Sequence, residues 1–207
     1  MGRVIDHVDI RVADRDASQR FYESVLTVLG RTEPLIDSEY IDWGDFSIVS
    51  DGRPVAKHLD IAFSAPSPEL VSPDLRDPDG NSVEVVHTGE GRKPGAIDHV
   101  RLRTRDVAAI RQFYVAAGYE LGVDEPDHVQ IGPVSYVAGE PVTEHVHIAF
   151  RADTNEAVDA FHRGAIAAGY TDNGAPGERP HYHPGYYGAF VLDPDGHNIE
   201  AVNHNRT

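Results

Sequence analysis

The strongest constraint on this chain is that it is written twice. The stretch "IDHVDIRVADRDASQRFYESVLTVLG" (5–30) returns as "IDHVRLRTRDVAAIRQFYVAAGYELG" (97–122), an offset of 92 residues. "KHLDIAFSA" (57–65) returns as "EHVHIAFRA" (144–152), offset by 87, and "RDPDGNSVEVV" (76–86) returns as "LDPDGHNIEAV" (192–202), offset by 116. The step from 87 to 116 gives the second copy 29 extra residues between Ala152 and Leu192. A repeat of this kind decides architecture before any single motif does.

Each copy reads as strands around helices. Val8, Ile10 and Val12 alternate with His7, Asp9 and Arg11, the pattern of a half-buried strand. Ala17, Phe21, Val25 and Leu29 then recur at helical spacing, with Asp14 or Asp16 to cap the start and Gly30 to end it. Short strands are expected at about 40–49 and 58–64. "DPDG" suits a type I turn joining the last two strands of a hairpin. The second copy adds a helix with Asp153 as cap, Ala157, Phe161 and Ala165 as apolar stripe and Gly169 as stop. The first copy has "PSPELVSPD" at that place, too short and too rich in proline for a helix. The elementary unit is strand, helix, strands. Four units are implied, the second truncated, in two halves at 1–91 and 96–207 joined by the linker "TGEGRKPGA" (88–96). Strands covered by helices on one face leave the other face free to line a cleft.

Side-chain alternation selects what stands on that free face. In "IDHVRLR", Val100 and Leu102 point to the helices, and His99, Arg101 and Arg103 point away. In "EHVHIAF", His145, His147 and Ala149 oppose Val146, Ile148 and Phe150. In "HNIEAV", Glu200 opposes Ile199 and Ala201. Two imidazoles and a carboxylate can hold a divalent metal with positions left open for water or substrate. Isolated polar residues on a wet sheet face are the competing reading of the same pattern.

Composition excludes several classes. Lys plus Arg is 18 against 34 Asp plus Glu, a net charge of −16. Such a field repels a phosphate backbone, so nucleic acid is not an expected partner. Cysteine is absent, which removes disulfides and thiolate chemistry. No apolar run reaches membrane-spanning length, and no signal peptide is visible, so a cytoplasmic location is expected. The repeat leaves homodimer formation open.

The ordered set "DHV", the Phe-Tyr helix, "HIAF" and "DPDGHNIE", nearly the whole chain twice over, resembles the vicinal oxygen chelate superfamily. That superfamily includes glyoxalase I, extradiol ring-cleaving dioxygenases and bleomycin and other antibiotic-resistance proteins. The resemblance implies an α+β fold of tandem βαβββ modules, forming curled mixed sheets around a metal-binding cleft in two glyoxalase-like halves. It implies a divalent metal ion (Fe2+, Mn2+, Ni2+ or Zn2+) held by His99, His147 and Glu200 in the second half. His145 is the rival of His147; the residue directly before "IAF" is the family's usual ligand. In the first half His7, Asp60 and Glu84 match the ligand positions, with Asp in place of His, so that half is expected to be structural and metal-free. "IGPVSYVAG" (131–139) lacks the further Glu that glyoxalase I commonly uses. The implied activity is that of a lyase, an isomerase or a ring-cleaving oxidoreductase acting on a small oxygen-rich molecule. Sequestration of a drug or metabolite without chemistry is the alternative, and the complete ligand set favours an enzyme.

One stretch carries the rest of the expected site. "RPHYHPGYYGAFVLDPDGHNIEAVNH" (179–204) holds four of the chain's twelve histidines. His181 and His183, two apart on one strand face, are candidate acid–base groups because imidazole titrates near neutrality. Phe190 stands where extradiol enzymes carry a Tyr. Tyr186, Tyr187, Phe190, His145 and Arg101 are candidate substrate-lining residues. His197, in the turn beside Gly196, is expected to be exposed, and His204 is assigned no role.

Overall fold

A computed structural model describes residues 4–89 and 93–205; residues 90–92 of the expected linker lie outside the described residues. The first half contains β1 (Ile5–Arg11), α1 (Arg15–Val28), β2 (Leu35–Ile36), β3 (Tyr40–Asp42) and β4 (Phe46–Val49). It continues with β5 (Asp60–Ser64), a single 3-10 turn (Pro68–Leu70), β6 (Ser72–Arg76) and β7 (Ser82–Val86). The second half runs β8 (Ile97–Thr104), α2 (Val107–Ala116), β9 (Val123–Glu125), β10 (His128–Ile131) and β11 (Val134–Ala138). It ends with β12 (Val146–Arg151), α3 (Asn155–Ala167), β13 (Thr171–Glu178), β14 (Tyr187–Leu192) and β15 (Asn198–Asn203). Three βαβββ modules and one module that lacks its helix are therefore present, in an α+β fold with one eight-stranded and one seven-stranded mixed sheet.

The chain divides into two compact units that interleave along the sequence. One holds the described residues up to Asp6, Thr104–Glu140 and everything from His147 onward. Its sheet is built from β12 running parallel to β15, with β15, β14 and β13 following antiparallel. The start of the chain lies beside β12, where the Arg151 N–H donates to the Val4 carbonyl at 3.0 Å. Phe161 of α3 packs with Tyr119 and Phe150, with Tyr119 and Phe150 ring centres 4.9 Å apart. The other unit spans His7–Arg103 and Pro141–Val146. There β1 pairs parallel with β4, and β5 pairs parallel with β7 and antiparallel with β8. Tyr22, Phe46 and Phe63 form its aromatic core, with Phe46 lying 4.7 Å from Tyr22 and 5.1 Å from Phe63. Each such fully buried ring contributes roughly 1.5–3 kcal/mol of burial free energy.

The helices start as local chemistry dictates, with two corrections. Asp14 caps α1 by accepting the Ala17 N–H, and Gly30 beyond its end takes φ +92°. The buried row of α1 is Ser18, Tyr22 and Leu26, one residue along from the Ala17, Phe21, Val25 stripe, which is half-buried. The shift is explained by Tyr22: its ring fills the core while its hydroxyl donates to Asp77 Oδ2 at 2.9 Å. In α3 the cap is Thr154 rather than Asp153; the Thr154 hydroxyl accepts the Ala157 N–H.

The repeated "DPDG" turns are buried braces. Asp77 Oδ1 accepts the N–H groups of Asp79 and Asn81, and Asp193 Oδ1 accepts those of Asp195 and His197. Each Asp also takes a tyrosine hydroxyl, Tyr22 for Asp77 and Tyr136 for Asp193, both at 2.9 Å. This geometry overturns the expected exposure of His197. Its backbone is tied to Asp193 and its ring lies 6.3 Å from that of Tyr136, fully buried like Asn81 in the first half.

Candidate metal centre

β12 and β15 bring the first two groups together. His147 pairs in register with Asn198, and Ala149 with Glu200, so His147, Ala149 and Glu200 share one face. The His147 Nε2 lies 3.1 Å from Glu200 Oε2, and both side chains are buried. His147 Nδ1 lies 3.0 Å from the Asn198 main-chain carbonyl oxygen and 2.7 Å from the Asn198 side-chain amide nitrogen, so Asn198 anchors that side of the ring. Nε2 faces the carboxylate, the arrangement of a ligating imidazole whose outer nitrogen is anchored.

A third group completes the set. Ligand atoms of His7, His147 and Glu200 all lie within 4.8 Å of one another, and among the described residues this is the group of three or more His, Asp or Glu side chains with that property. Ligands bonded at about 2.1 Å to one octahedral cation sit about 3 Å apart when adjacent and about 4.2 Å apart when opposite. The 4.8 Å bound is a few tenths of an ångström wider than that range, so two imidazoles and a carboxylate need to close by only that much to hold a divalent cation.

Glu200 is itself held. Tyr186, buried, donates its hydroxyl to Glu200 Oε1 at 2.6 Å. Burial, reinforced by the adjacent Glu200 charge, pushes the Tyr186 phenol far above its ordinary range, so it remains a donor. Gly188 makes room for this bond: a Cβ there would meet Glu200 Oε1 at 2.6 Å and the Tyr186 ring at 3.2 Å. Ala149, Tyr186 and Val202 close the apolar floor beside it.

The remaining expected site residues are scattered. His99 lies on β8 opposite Ala62 of β5, and Ala62 in turn faces Glu84 of β7, so Glu84, Ala62 and His99 form one row across three strands. The His99 Nδ1 is 2.9 Å from Asp98 Oδ1. The sequence reading has His99 in the place that His7 takes beside His147 and Glu200. Asp60 faces Arg101 and lies 3.9 Å from the Arg103 guanidinium, and His7, Asp60 and Glu84 do not form a comparable group among the described residues. Arg101 is exposed. Phe190 faces Glu200 in register and its ring lies 6.1 Å from that of His147, so it walls the site. Tyr187 donates to Asp159 of α3 at 2.8 Å, a brace between strand and helix.

His181 and His183 are not on a strand. They sit in the loop between β13 and β14, closed where the Arg179 N–H donates to the Tyr186 carbonyl at 2.8 Å. His181 is exposed and His183 is half-buried. His145 precedes β12 with φ +58°, and the matching His58 has φ +59°, so both leave the strand alternation that placed His145 on the free face. A left-handed backbone costs a residue with a Cβ roughly 1–2 kcal/mol. Replacing either His by Gly is expected to raise stability by up to about 1 kcal/mol, read as the urea midpoint. Unchanged or lower midpoints would show that the imidazoles make up the strain. A stability gain with lost ligand binding in His145→Gly would mark a binding role.

Sequence reasoning missed the place of His7, the Tyr186–Glu200 bond, Gly188 and His204. A signal existed for Gly188, since a glycine inside a strand marks a close approach.

Residues 96–201 match the model of the Glyoxalase/Bleomycin resistance protein/Dioxygenase superfamily, and the chain belongs to that family. Glyoxalase I from Zea mays is 17% identical, with a TM-score of 0.63 over 97% of this chain and 92% of that one. A Bacillus subtilis protein described provisionally as a dioxygenase is 13% identical, with a TM-score of 0.67 over 99% and 86%. At these identities the likeness is one of fold. No curated protein matches the sequence. Among the described residues, no helix is long and apolar enough to cross a membrane.

Proposed function

We propose that the chain is a metal-dependent enzyme of the vicinal oxygen chelate kind, with His7, His147 and Glu200 holding one divalent cation. The observation that carries this reading is the convergence of those three ligand atoms within 4.8 Å. When bound, the cation supplies Lewis acidity toward the oxygens of a small oxygen-rich substrate. The chain's own groups do the rest. His147 is fixed through the Asn198 carbonyl. Glu200 is fixed through Tyr186. Phe190 gives the site an apolar wall that excludes water beside the ligands. Exposed His181 is the candidate acid–base group ahead of half-buried His183, whose two ring nitrogens lie against the Pro184 carbonyl and His204.

The test is reconstitution under argon with Fe(II), Mn(II), Ni(II) or Zn(II), followed by a hemithioacetal and catechol panel. One cation per chain with turnover of either class supports an enzyme; oxygen uptake with catechols assigns ring cleavage, and isomerisation without uptake assigns a glyoxalase-like reaction. A bound cation with tight ligand binding and no turnover would replace the enzyme by a sequestering protein. His99→Ala is expected to leave cation binding intact, whereas His7→Ala lowers it; the reverse result would restore His99 as ligand.

A further inference from the structure

Outside the metal ligands, three titratable side chains meet in a line. Asp6 Oδ2 lies 2.8 Å from His204 Nε2, and His204 Nδ1 lies 2.7 Å from His183 Nε2. His183 Nδ1 lies 2.8 Å from the Pro184 carbonyl oxygen. A carbonyl only accepts, so His183 Nδ1 carries a hydrogen. The facing nitrogens of His183 and His204 stand 2.7 Å apart, so something sits between them.

The ring geometry identifies what that is. The ring centres of His183 and His204 are 5.0 Å apart and their planes differ by 14°. The difference between 5.0 Å and the 2.7 Å nitrogen separation is two ring radii, so both nitrogens lie on the line between the centres and the rings are coplanar, edge to edge. A metal ion on that line would need the nitrogens about 4 Å apart. A proton needs about the distance seen.

This line ties together three separate pieces of chain: the start of β1, the tail after β15, and the 179–186 loop. The loop delivers Tyr186 to Glu200. The Tyr186 ring stands edge-on to both imidazoles, 5.4 Å from His183 and 5.3 Å from His204. Asn205 adds a bond from its side-chain amide to the Gly185 carbonyl at 2.8 Å. Tyr182 and Tyr186 are the other titratable side chains stacked in the loop, with ring centres 4.8 Å apart.

We propose that Asp6, His204 and His183 form a hydrogen-bonded clasp, and that Asp6 and His204 are positioning residues whose clasp holds Tyr186 on Glu200. The link to Glu200 as a ligand rests on the function proposed above; the clasp itself does not.

The experiment is nuclear magnetic resonance on the full chain labelled with 15N at histidine, with backbone hydrogen exchange on the same sample. The wild-type chain is expected to show a proton resonance far downfield of the amides, coupled to ring nitrogens of both residues 183 and 204. His204→Phe, and the milder His204→Gln and Asp6→Asn, are expected to remove it and to speed exchange of the Tyr186 amide at least tenfold. Mn(II) affinity should fall about tenfold in His204→Phe and in Tyr186→Phe, and no further in the double variant, as residues acting through one another require. A wild-type spectrum without the resonance, or one that loses it in the variants with loop exchange unchanged, overturns the clasp. If the resonance and exchange behave as stated but no variant alters Mn(II) binding, the clasp stands without the positioning role. If the wild-type chain takes up no Mn(II) at all, it is the proposed function that fails.

Discussion

Glu200→Gln is expected to lower the affinity for Mn(II) or Zn(II) more than 100-fold, with the unfolding midpoint within a few degrees of the parent. The substitution keeps a carbonyl oxygen for the Tyr186 hydroxyl, which donates at 2.6 Å, but removes the only buried carboxylate of the His7, His147, Glu200 group. Loss of an outer partner costs about 10–100-fold in metal affinity, and a ligand should exceed that. Gly188→Ala reaches the same end by geometry. Its methyl would stand 2.6 Å from Glu200 Oε1, so either the carboxylate turns away from His147 or the strand shifts. Overpacking of this kind costs about 1–3 kcal/mol. Calorimetric titration with Mn(II), alongside thermal unfolding, separates the two variants: the first loses binding alone, the second loses binding and stability together. Parent-like affinity in Glu200→Gln would remove that carboxylate from the ligand set.

The second large effect is on stability and its pH dependence. Asp193 is buried in the second "DPDG" turn, and burial pushes its carboxyl up from 3.8 to about 7, against the lowering effect of its bonds to the His197 N–H and the Tyr136 hydroxyl. The folded chain thus binds this proton more tightly than the unfolded chain. Its contribution is complete below the unfolded value of 3.8 and is lost as pH rises through about 7. Three units correspond to on the order of 4 kcal/mol. Asp193→Asn keeps the oxygen that accepts the Asp195 and His197 N–H groups, and its amide can donate to Tyr136, which in turn can donate to Tyr114 at 3.0 Å. The variant should match the parent in urea near pH 3.5, where both forms of the parent carry the proton, and exceed it by a few kcal/mol at pH 9. A parent–variant difference that does not change between those pH values would show that Asp193 is ionised at a normal value in the folded chain.

The modules were legible because their signals are local. Alternation in "HVDIRV" and "HNIEAV" marks strands, Asp14 and Gly30 bracket a helix, and the prolines of "PSPELVSPD" reduce a helix to one turn. The shared face of His147 and Glu200 followed from the same alternation. What was not legible depends on which strands become neighbours. β5 pairs with β8, which sets His99 beside Ala62 and Glu84, and no local pattern in either strand announces that pairing. His145 was misread because a left-handed residue breaks the alternation it was counted in. His197 was misread because an Asp side chain, not the turn's position, decides whether that ring is buried. The line from Asp6 to His204 joins residues 198 positions apart, beyond the reach of any spacing rule.

The central claim is that His7, His147 and Glu200 share one cation. Anomalous diffraction from crystals soaked in Mn(II) or Zn(II), recorded at the metal's absorption edge, tests it without reference to activity. The account predicts a single strong peak about 2.0–2.2 Å from His147 Nε2, a Glu200 carboxylate oxygen and a ring nitrogen of His7. A peak bonded to His99 instead, or none at these side chains in a crystal that has taken up the metal elsewhere, would contradict it.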